Sequence, residues 1–376
     1  MRYISVLHID SETTWRGGEN QIRLLVEGAR ALGVESHLAA PRSSQIMKRL
    51  GGQVPSIEFS LSVFGWFWAI FAICGYVRSN GISIIDAHSS RAHGMGLIIS
   101  LLCPKVRLIV HRRVDNVPGG GLISKLKYHS PLVDRYVSIS SAIRDVLVDI
   151  GVDPSRVETV YSAVPEVTFS STEKQEARQA LCCELGWDPT IPIIASIGYL
   201  TKQKGHSTLL GGLKLLKNKN IRFQCFIAGD GELRNELEQE ALELGLGADD
   251  LVFLGIRNDI RRLMLSSDIL SMPSNNEGLG TTILDAMQFG LAVAASEVGG
   301  IVEIISDGEN GLLSKVGDAV SHGEKIARFI LEKADRELIS SNGQSSVRER
   351  FSVELMVLGN VEIYRKALSA KYINID

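Results

Sequence analysis

The sequence predicts an α/β protein with two parallel sheets, each covered by helices on both faces. Three observations carry this. Short runs rich in β-branched residues recur along the chain, each followed by polar or helical sequence, and a strand followed by a crossover helix, repeated, builds a parallel sheet. Glycines stand where several of these runs end, at Gly17-Gly18, Gly229, Gly231, Gly278 and Gly280. The 376 residues, 45% hydrophobic and 22% charged, suffice for two domains of roughly 150 to 200 residues, each with its own core.

In order, "YISVLHI" reads as the first strand, followed by the Gly17-Gly18 turn and a helix through "ENQIRLLVEGARALG" that stops at Gly33. The strands "ESHLAA", "ISIIDAH", "VRLIVHR" and "RYVSIS" follow. The pattern breaks in "AVPEVTFSSTEKQEARQ", where Pro165, a Ser-Ser-Thr turn and a charged helix mark the join. The second half repeats the alternation with "PIIASIG", "RFQCFIAG", "LVFLG", "ILSMPS", "AVAAS" and "GLLSK", among helices such as "GELRNELEQEALELG". Two Rossmann-like sheets in tandem are the economical reading. Ligands of such sheets bind outside the carboxyl ends of the strands, so an interdomain cleft is the expected site.

Net charge is -3 and gives no reason to expect a nucleic acid partner. It is unevenly spread: residues 1–165 carry a net +5 and the remainder a net -8, which makes the first half the one to meet an anionic surface. Five cysteines, odd in number, lack the spacing of a zinc site or disulfide framework. With no signal-peptide pattern at the start, the expected place is the cytoplasm. The stretch 61–77, "LSVFGWFWAIFAICGYV", is free of charge. It reads as a helix packed on the sheet, as a helix lying on a membrane surface, or as a short span. Peripheral contact with the inner face of the cytoplasmic membrane is the hypothesis it motivates.

The segment "SNNEGLGTTILDAM" carries the chemistry. After the strand "DILSMPS", the backbone N–H groups of Gly278, Leu279, Gly280 and Thr281 can converge on a ligand at a helix start, a place that attracts phosphate. Glu277 and Asp285 flank it and would repel that phosphate unless they act on another part of the molecule. An ionised carboxylate accepts two O–H bonds, so the vicinal hydroxyls of a sugar and of a ribose are the natural partners. A nucleoside diphosphate sugar has all three parts. Lys202 and Lys204 in "GYLTKQKGH" lie on a loop after a strand, where an ammonium can neutralise a leaving diphosphate. Arg257 and Asn258 follow another strand, with main chain able to meet a base. Either acid alone could equally be a surface group at a helix start.

Taken together, "WRGGENQIRLL", "VSISSAIRDVLVDIGVDPSRVETVYSAV", "GYLTKQKGH", "IAGDGEL", "VFLG" and "MPSNNEGLGTTILDAMQFGLAVAASEVGGIVEIISDGENGLL" resemble the retaining glycosyltransferases of family 4, in order and over nearly the whole chain. The resemblance implies the GT-B fold, two facing Rossmann-like domains: residues 1–167 for the acceptor, 168–350 for the nucleotide-sugar donor, and a C-terminal helix within 351–376 crossing back to the first domain. It implies that Glu277 holds the donor sugar, Asp285 the ribose, and Gly278 to Thr281 with Lys204 the diphosphate, while Gly17 and Gly18 approach the phosphate from the first domain. His88 and His111 end strands; either can be a structural histidine, and the resemblance makes His111 a donor-sugar or acceptor contact. Arg91, Arg112 and Arg113 become candidates for an anionic acceptor such as a lipid-linked saccharide. The glycines 119–121 read as a mobile loop over that site.

Two departures stand out. Asp285 occupies a position where the family has Glu, one methylene longer, and Tyr199 replaces a phosphate-binding Arg, leaving Lys202, Arg112 or Arg113 to substitute. No Asp-x-Asp motif is present, so transfer is expected to need no metal or other cofactor, with a UDP-sugar as first choice of donor and GDP- or ADP-sugars as alternatives. The alternative functions are a nucleotide-sugar epimerase and a non-catalytic nucleotide-sugar-binding protein. A nicotinamide oxidoreductase is disfavoured because no G-x-G-x-x-G follows the first strand.

Overall fold

The computed structural model describes residues 4–114 and 121–369. The chain divides into two compact units. One comprises residues 1–163 together with 353–376; the other is 164–352. Of the glycines expected in a mobile loop, Gly119 and Gly120 lie outside the described residues, and Gly121 precedes the helix Leu122–Tyr128.

The first unit holds seven strands: β1 (Ile4–Ile9), β2 (Val34–Pro41), β3 (Ser56–Phe59), β4 (Ile84–Ala87), β5 (Arg107–Arg112), β6 (Val133–Ser138) and β7 (Val157–Thr159). Their order is β3-β2-β1-β4-β5-β6-β7, all parallel. The second unit holds β8 (Ile193–Ile197), β9 (Gln224–Ala228), β10 (Leu251–Gly255), β11 (Ile269–Met272), β12 (Ala292–Ser296) and β13 (Leu312–Ser314). Their order is β10-β9-β8-β11-β12-β13, again all parallel. Both sheets reverse direction of growth at their first strand, between β1 and β4 and between β8 and β11. Ligands of such sheets gather outside the carboxyl ends of those strands.

Parallel strands covered on both faces need apolar side chains at consecutive positions rather than alternate ones. Every residue of β1, β9 and β12 is accordingly buried. Alternation still decides which face each residue serves. In the first unit Leu7, Ile9, Ile85, Ala87, Leu108 and Val110 join the core under the helices Val63–Ser79 and Ser90–Leu102. Val6, Ile84 and Ile109 join the opposite core with Leu24 and Leu25 of the helix Gly17–Ala31 and Val357, Val361 and Tyr364 of the helix Val353–Ser369. Gly28 lets these two helices close, since a Cβ there would stand 2.6 Å from Val357.

Strands β3 and β7 escape the sequence reading for a physical reason. They are the two edges of the first sheet, four and three residues long and partly exposed, so "SIEF" and "VET" carry too short an apolar run to register.

The stretch 61–77 forms the 17-residue helix Val63–Ser79, capped by the Ser62 hydroxyl, which accepts from the Gly65 amide at 3.1 Å. Its Ile70, Ile73, Cys74 and Val77 enter the core, whereas Phe64, Phe67, Trp68 and Phe71 are exposed, Phe64 at 81% and Trp68 at 74%. Among the described residues no helix is long and apolar enough to cross a membrane.

Candidate functional site

The second unit assembles a site at its reversal point. The strand β8 leads into a loop ending in the short turn Lys202–Lys204, and β11 leads through residues 273–280 into the helix Thr281–Gln288. The two loops are stitched together. The Asn275 amide N–H donates to Gln203 O at 2.8 Å, the Asn275 side chain to Lys202 O at 2.6 Å, and the Gln203 side chain to Asn276 O at 3.1 Å. Gly205 makes the closeness possible: at φ +64° its missing Cβ would stand 2.0 Å from Pro273 O. Behind the loop, Gly300 N–H donates to Glu277 O at 3.0 Å, and Gly299, at φ +52°, would place a Cβ 2.1 Å from that same oxygen.

This scaffold brings Lys204 Nζ within 2.6 Å of Glu277 Oε2, both side chains less than one-fifth exposed. Gly278, Leu279 and Gly280 are buried beside them, and Gly280, at φ +98°, starts the helix. Asp285 sits one turn into that helix, half-buried and with no ion-pair partner among the described residues; burial pushes its carboxyl up to about 7. Lys202 and Tyr199 are exposed on the adjoining loop. A primary ammonium, a paired carboxylate, a helix start and a second, less acidic carboxyl thus occupy one strand edge. Together they can bind a phosphoryl group and hydroxyls at once.

Arg257 has a different occupation. Its guanidinium is clamped between Glu184 at 2.6 Å and Asp259 at 2.7 Å, a network that Arg262 joins from both acids. These hydrogen bonds raise the Arg257 pKa above its ordinary value. Its main chain is what remains for a ligand. A cavity of about 550 Å³ lined by Trp187, Asn220, Phe223 and Asp250 lies at the amino ends of β8, β9 and β10, the edge away from this site.

At the reversal point of the first unit lies a buried polar cluster. His8 on β1 is the register partner of Asp86 on β4, and His88 and His111 close around the same carboxylate. His111 Nε2 is 3.0 Å from Asp86 Oδ1, while His8 Nδ1 and His88 Nε2 are each 3.4 Å from Oδ2. Tyr364, from the helix Val353–Ser369, donates its hydroxyl to Oδ2 at 2.5 Å. Arg113 Nη2 reaches Nδ1 of both His88 and His111 at 3.4 Å. Burial would raise the Asp86 pKa, but His111 and His88 hold it well below the usual carboxylate range; burial in turn lowers both histidines against the opposing pull of Asp86. Gly18 lies alongside, where a Cβ would be 3.6 Å from Arg113 Cδ. Asp10, at the end of β1, is pushed up to about 7 by burial and by Glu19.

His8, Asp86 and His88 also have metal-ligand spacing, the only such trio among the described residues. The guanidinium argues for another use. It can only donate, so His88 Nδ1 must accept and Nε2 carries the proton, leaving no lone pair for an ion there. His111 thus stands between the two charges, its Nδ1 3.4 Å from Arg113 Nη2 and its Nε2 3.0 Å from Asp86 Oδ1. Arg112 turns away, its guanidinium donating to Tyr128 at 2.8 Å, and Arg91 is exposed in the first turn of its helix. Sequence reasoning missed Asp86 and Tyr364. An alternation count along "ISIIDAH" places Asp86 on the inner face, but nothing local couples it to a residue 278 positions later.

Residues 15–166 match the model of Glycosyltransferase Family 4 and residues 181–346 that of Glycosyl transferases group 1. The chain belongs to these glycosyltransferases. An uncharacterised glycosyltransferase of Methanocaldococcus jannaschii is 27% identical over 80% of this chain and 81% of its own length. The lipopolysaccharide core biosynthesis glycosyltransferase of Rhizobium meliloti is 28% identical over 48% of this chain and 50% of its own. Among solved structures, Anabaena HepE in complex with UDP and glucose superposes with a TM-score of 0.82 at 20% identity, covering 96% of this chain and all of that one. A glycosyltransferase from Rickettsia africae gives 0.85 at 20% identity over 99% of this chain and all of that one. This glycosyltransferase thus has the GT-B fold.

Proposed function

We propose that the enzyme moves a sugar from a nucleoside diphosphate sugar to a hydroxyl of an envelope glycan or lipid-linked saccharide, with retention of configuration and without a metal ion. The observation that carries this is the 2.6 Å pair of Lys204 and Glu277 beside the start of the helix Thr281–Gln288. In the free enzyme the two groups satisfy each other. When donor binds, Lys204 turns to the diphosphate with the N–H groups of Gly278 to Thr281, and Glu277 is released to accept hydroxyls of the sugar. Asp285 takes the ribose, and Lys202 and the Arg257 main chain border the nucleotide. The ammonium and helix start stabilise the leaving diphosphate, the work a metal ion otherwise does.

UDP is the first nucleotide to test, since HepE was solved with UDP and with UDP-glucose. The lipopolysaccharide and capsular polysaccharide enzymes among the relatives favour an envelope acceptor. Arg91 and Arg113 in the first unit are the acceptor-side groups; His88, expected among them, has a fully buried side chain whose nitrogens face His8 and Arg113. Its helix Val63–Ser79 supports peripheral attachment to an anionic membrane, in line with the net +5 of residues 1–165.

The test is release of glucose from UDP-glucose, followed by proton NMR in the presence of EDTA. The α-anomer should appear first, and Glu277→Ala should lower kcat by roughly 100-fold. First appearance of the β-anomer, an isomerised nucleotide sugar, or a fully active Glu277→Ala would overturn the proposal.

A further inference from the structure

The cluster beneath Gly18 is organised to aim one side chain. Arg113 donates to Nδ1 of His88 and of His111, so both rings carry their proton on Nε2. Those Nε2 edges converge on Asp86, at 3.4 and 3.0 Å, and His88 Nε2 also meets His8 Nδ1 at 3.1 Å. One anion thereby fixes the tautomer and tilt of two imidazoles, whose far nitrogens then fix the guanidinium. The anion is itself held by the Tyr364 hydroxyl at 2.5 Å. Burial and Asp86 raise the Tyr364 pKa well above its ordinary value, so it remains a donor. Arg113 keeps donors to spare: its Nε is buried and has no partner among the described residues. Its stem lies against the Gly18 backbone at the start of the helix Gly17–Ala31.

We propose that Asp86 and Tyr364 are positioning residues that act through His88 and His111 to hold the Arg113 guanidinium beside Gly17 and Gly18, where it donates to an oxygen of the substrate. The inference rests on the glycosyltransferase reading of the site and goes beyond it, giving a task to the C-terminal helix and to a carboxylate that touches no ligand. A guanidinium is a planar fork whose use depends on orientation, so loss of its support weakens it without removing it.

A double-mutant cycle separates this role from a merely structural one. With UDP-glucose turnover as the readout, Tyr364→Phe should lower kcat/KM by roughly tenfold in the wild-type chain, the worth of one hydrogen bond to a charged group. It should have no further effect in an Arg113→Gln background. Nitrogen-15 NMR of histidine-labelled enzyme should show His88 and His111 protonated on Nε2, with Asp86→Asn moving at least one to Nδ1. Equal losses in both backgrounds, no loss in either, or an Nδ1-protonated ring in the wild-type enzyme would overturn the proposal while leaving the transferase reading standing. No turnover by the wild-type chain would instead overturn that reading, and the catalytic role proposed here with it.

Discussion

Lys204 and Glu277 satisfy each other's charge across two loops of the second unit. A cation and an anion less than one-fifth exposed would each be costly alone, and their 2.6 Å pairing removes that cost in the free enzyme. Asp285 has no such relief. Its carboxyl, pushed up to about 7 by burial from an ordinary value of 3.8, binds a proton in the native chain over a range where the unfolded chain has lost it. Its contribution to stability is therefore full below pH 3.8 and declines as pH rises through 7. Asp285→Asn should raise stability at pH 8 by roughly 1 to 3 kcal/mol and leave it nearly unchanged at pH 4, as melting curves at the two pH values will show. If Asp285 accepts ribose hydroxyls as a carboxylate, UDP-glucose affinity should also rise between pH 6 and 8 in the wild type and stay level in Asp285→Asn. At this scale the sequence was informative about which residue types follow a strand: Lys204, Glu277 and Asp285 are legible there, and the fold brings Lys204 to Glu277. It was silent on pairing across the fold. Nothing in "GIRNDI" shows that Glu184, 73 positions earlier, shares the Arg257 guanidinium with Asp259, or that Tyr128 takes that of Arg112.

Among the elements, the helix Val63–Ser79 is the one whose sequence and burial conflict. Positions 64, 67, 68 and 71 follow helical spacing and form an aromatic stripe on the solvent side. Leu101, Leu102, Leu122, Lys125 and Leu126 are also exposed, on the helices Ser90–Leu102 and Leu122–Tyr128. Exposed aromatic rings on a segment of the chain with net charge +5, residues 1–165, suit the headgroup boundary of an anionic bilayer. Replacing Phe67, Trp68 and Phe71 by serine should abolish sedimentation with vesicles containing anionic lipid. Melting temperature should change little, because these side chains are already exposed. Undiminished sedimentation would refute the membrane role. The sequence exposed the anomaly but left three readings open, since a charge-free run does not say which of its faces is covered. The edge strands β3 and β7 were illegible for the opposite reason, having too few buried positions to leave a pattern.

In the whole molecule, two sheets of the same topology each carry their polar residues at the point where strand order reverses. That regularity made the architecture readable: β-branched runs alternating with amphipathic helices over the full length leave few other folds. It also explains why the second unit was read more completely than the first. In the second unit the key residues fall in contiguous loops, 199–205 and 273–285. In the first, the buried polar cluster is spread over β1, β4, β5 and a helix at the far end of the chain. The central claim is that the second unit binds a nucleoside diphosphate through Lys204. It is tested most directly by thermal unfolding of the wild type and Lys204→Ala with UDP, GDP, ADP and CMP. Stability should rise by roughly 2.7 kcal/mol at one hundred times the dissociation constant of one nucleoside diphosphate, with UDP expected, and the rise should be lost in Lys204→Ala. No response to any of the four, or an equal response in Lys204→Ala, would contradict it.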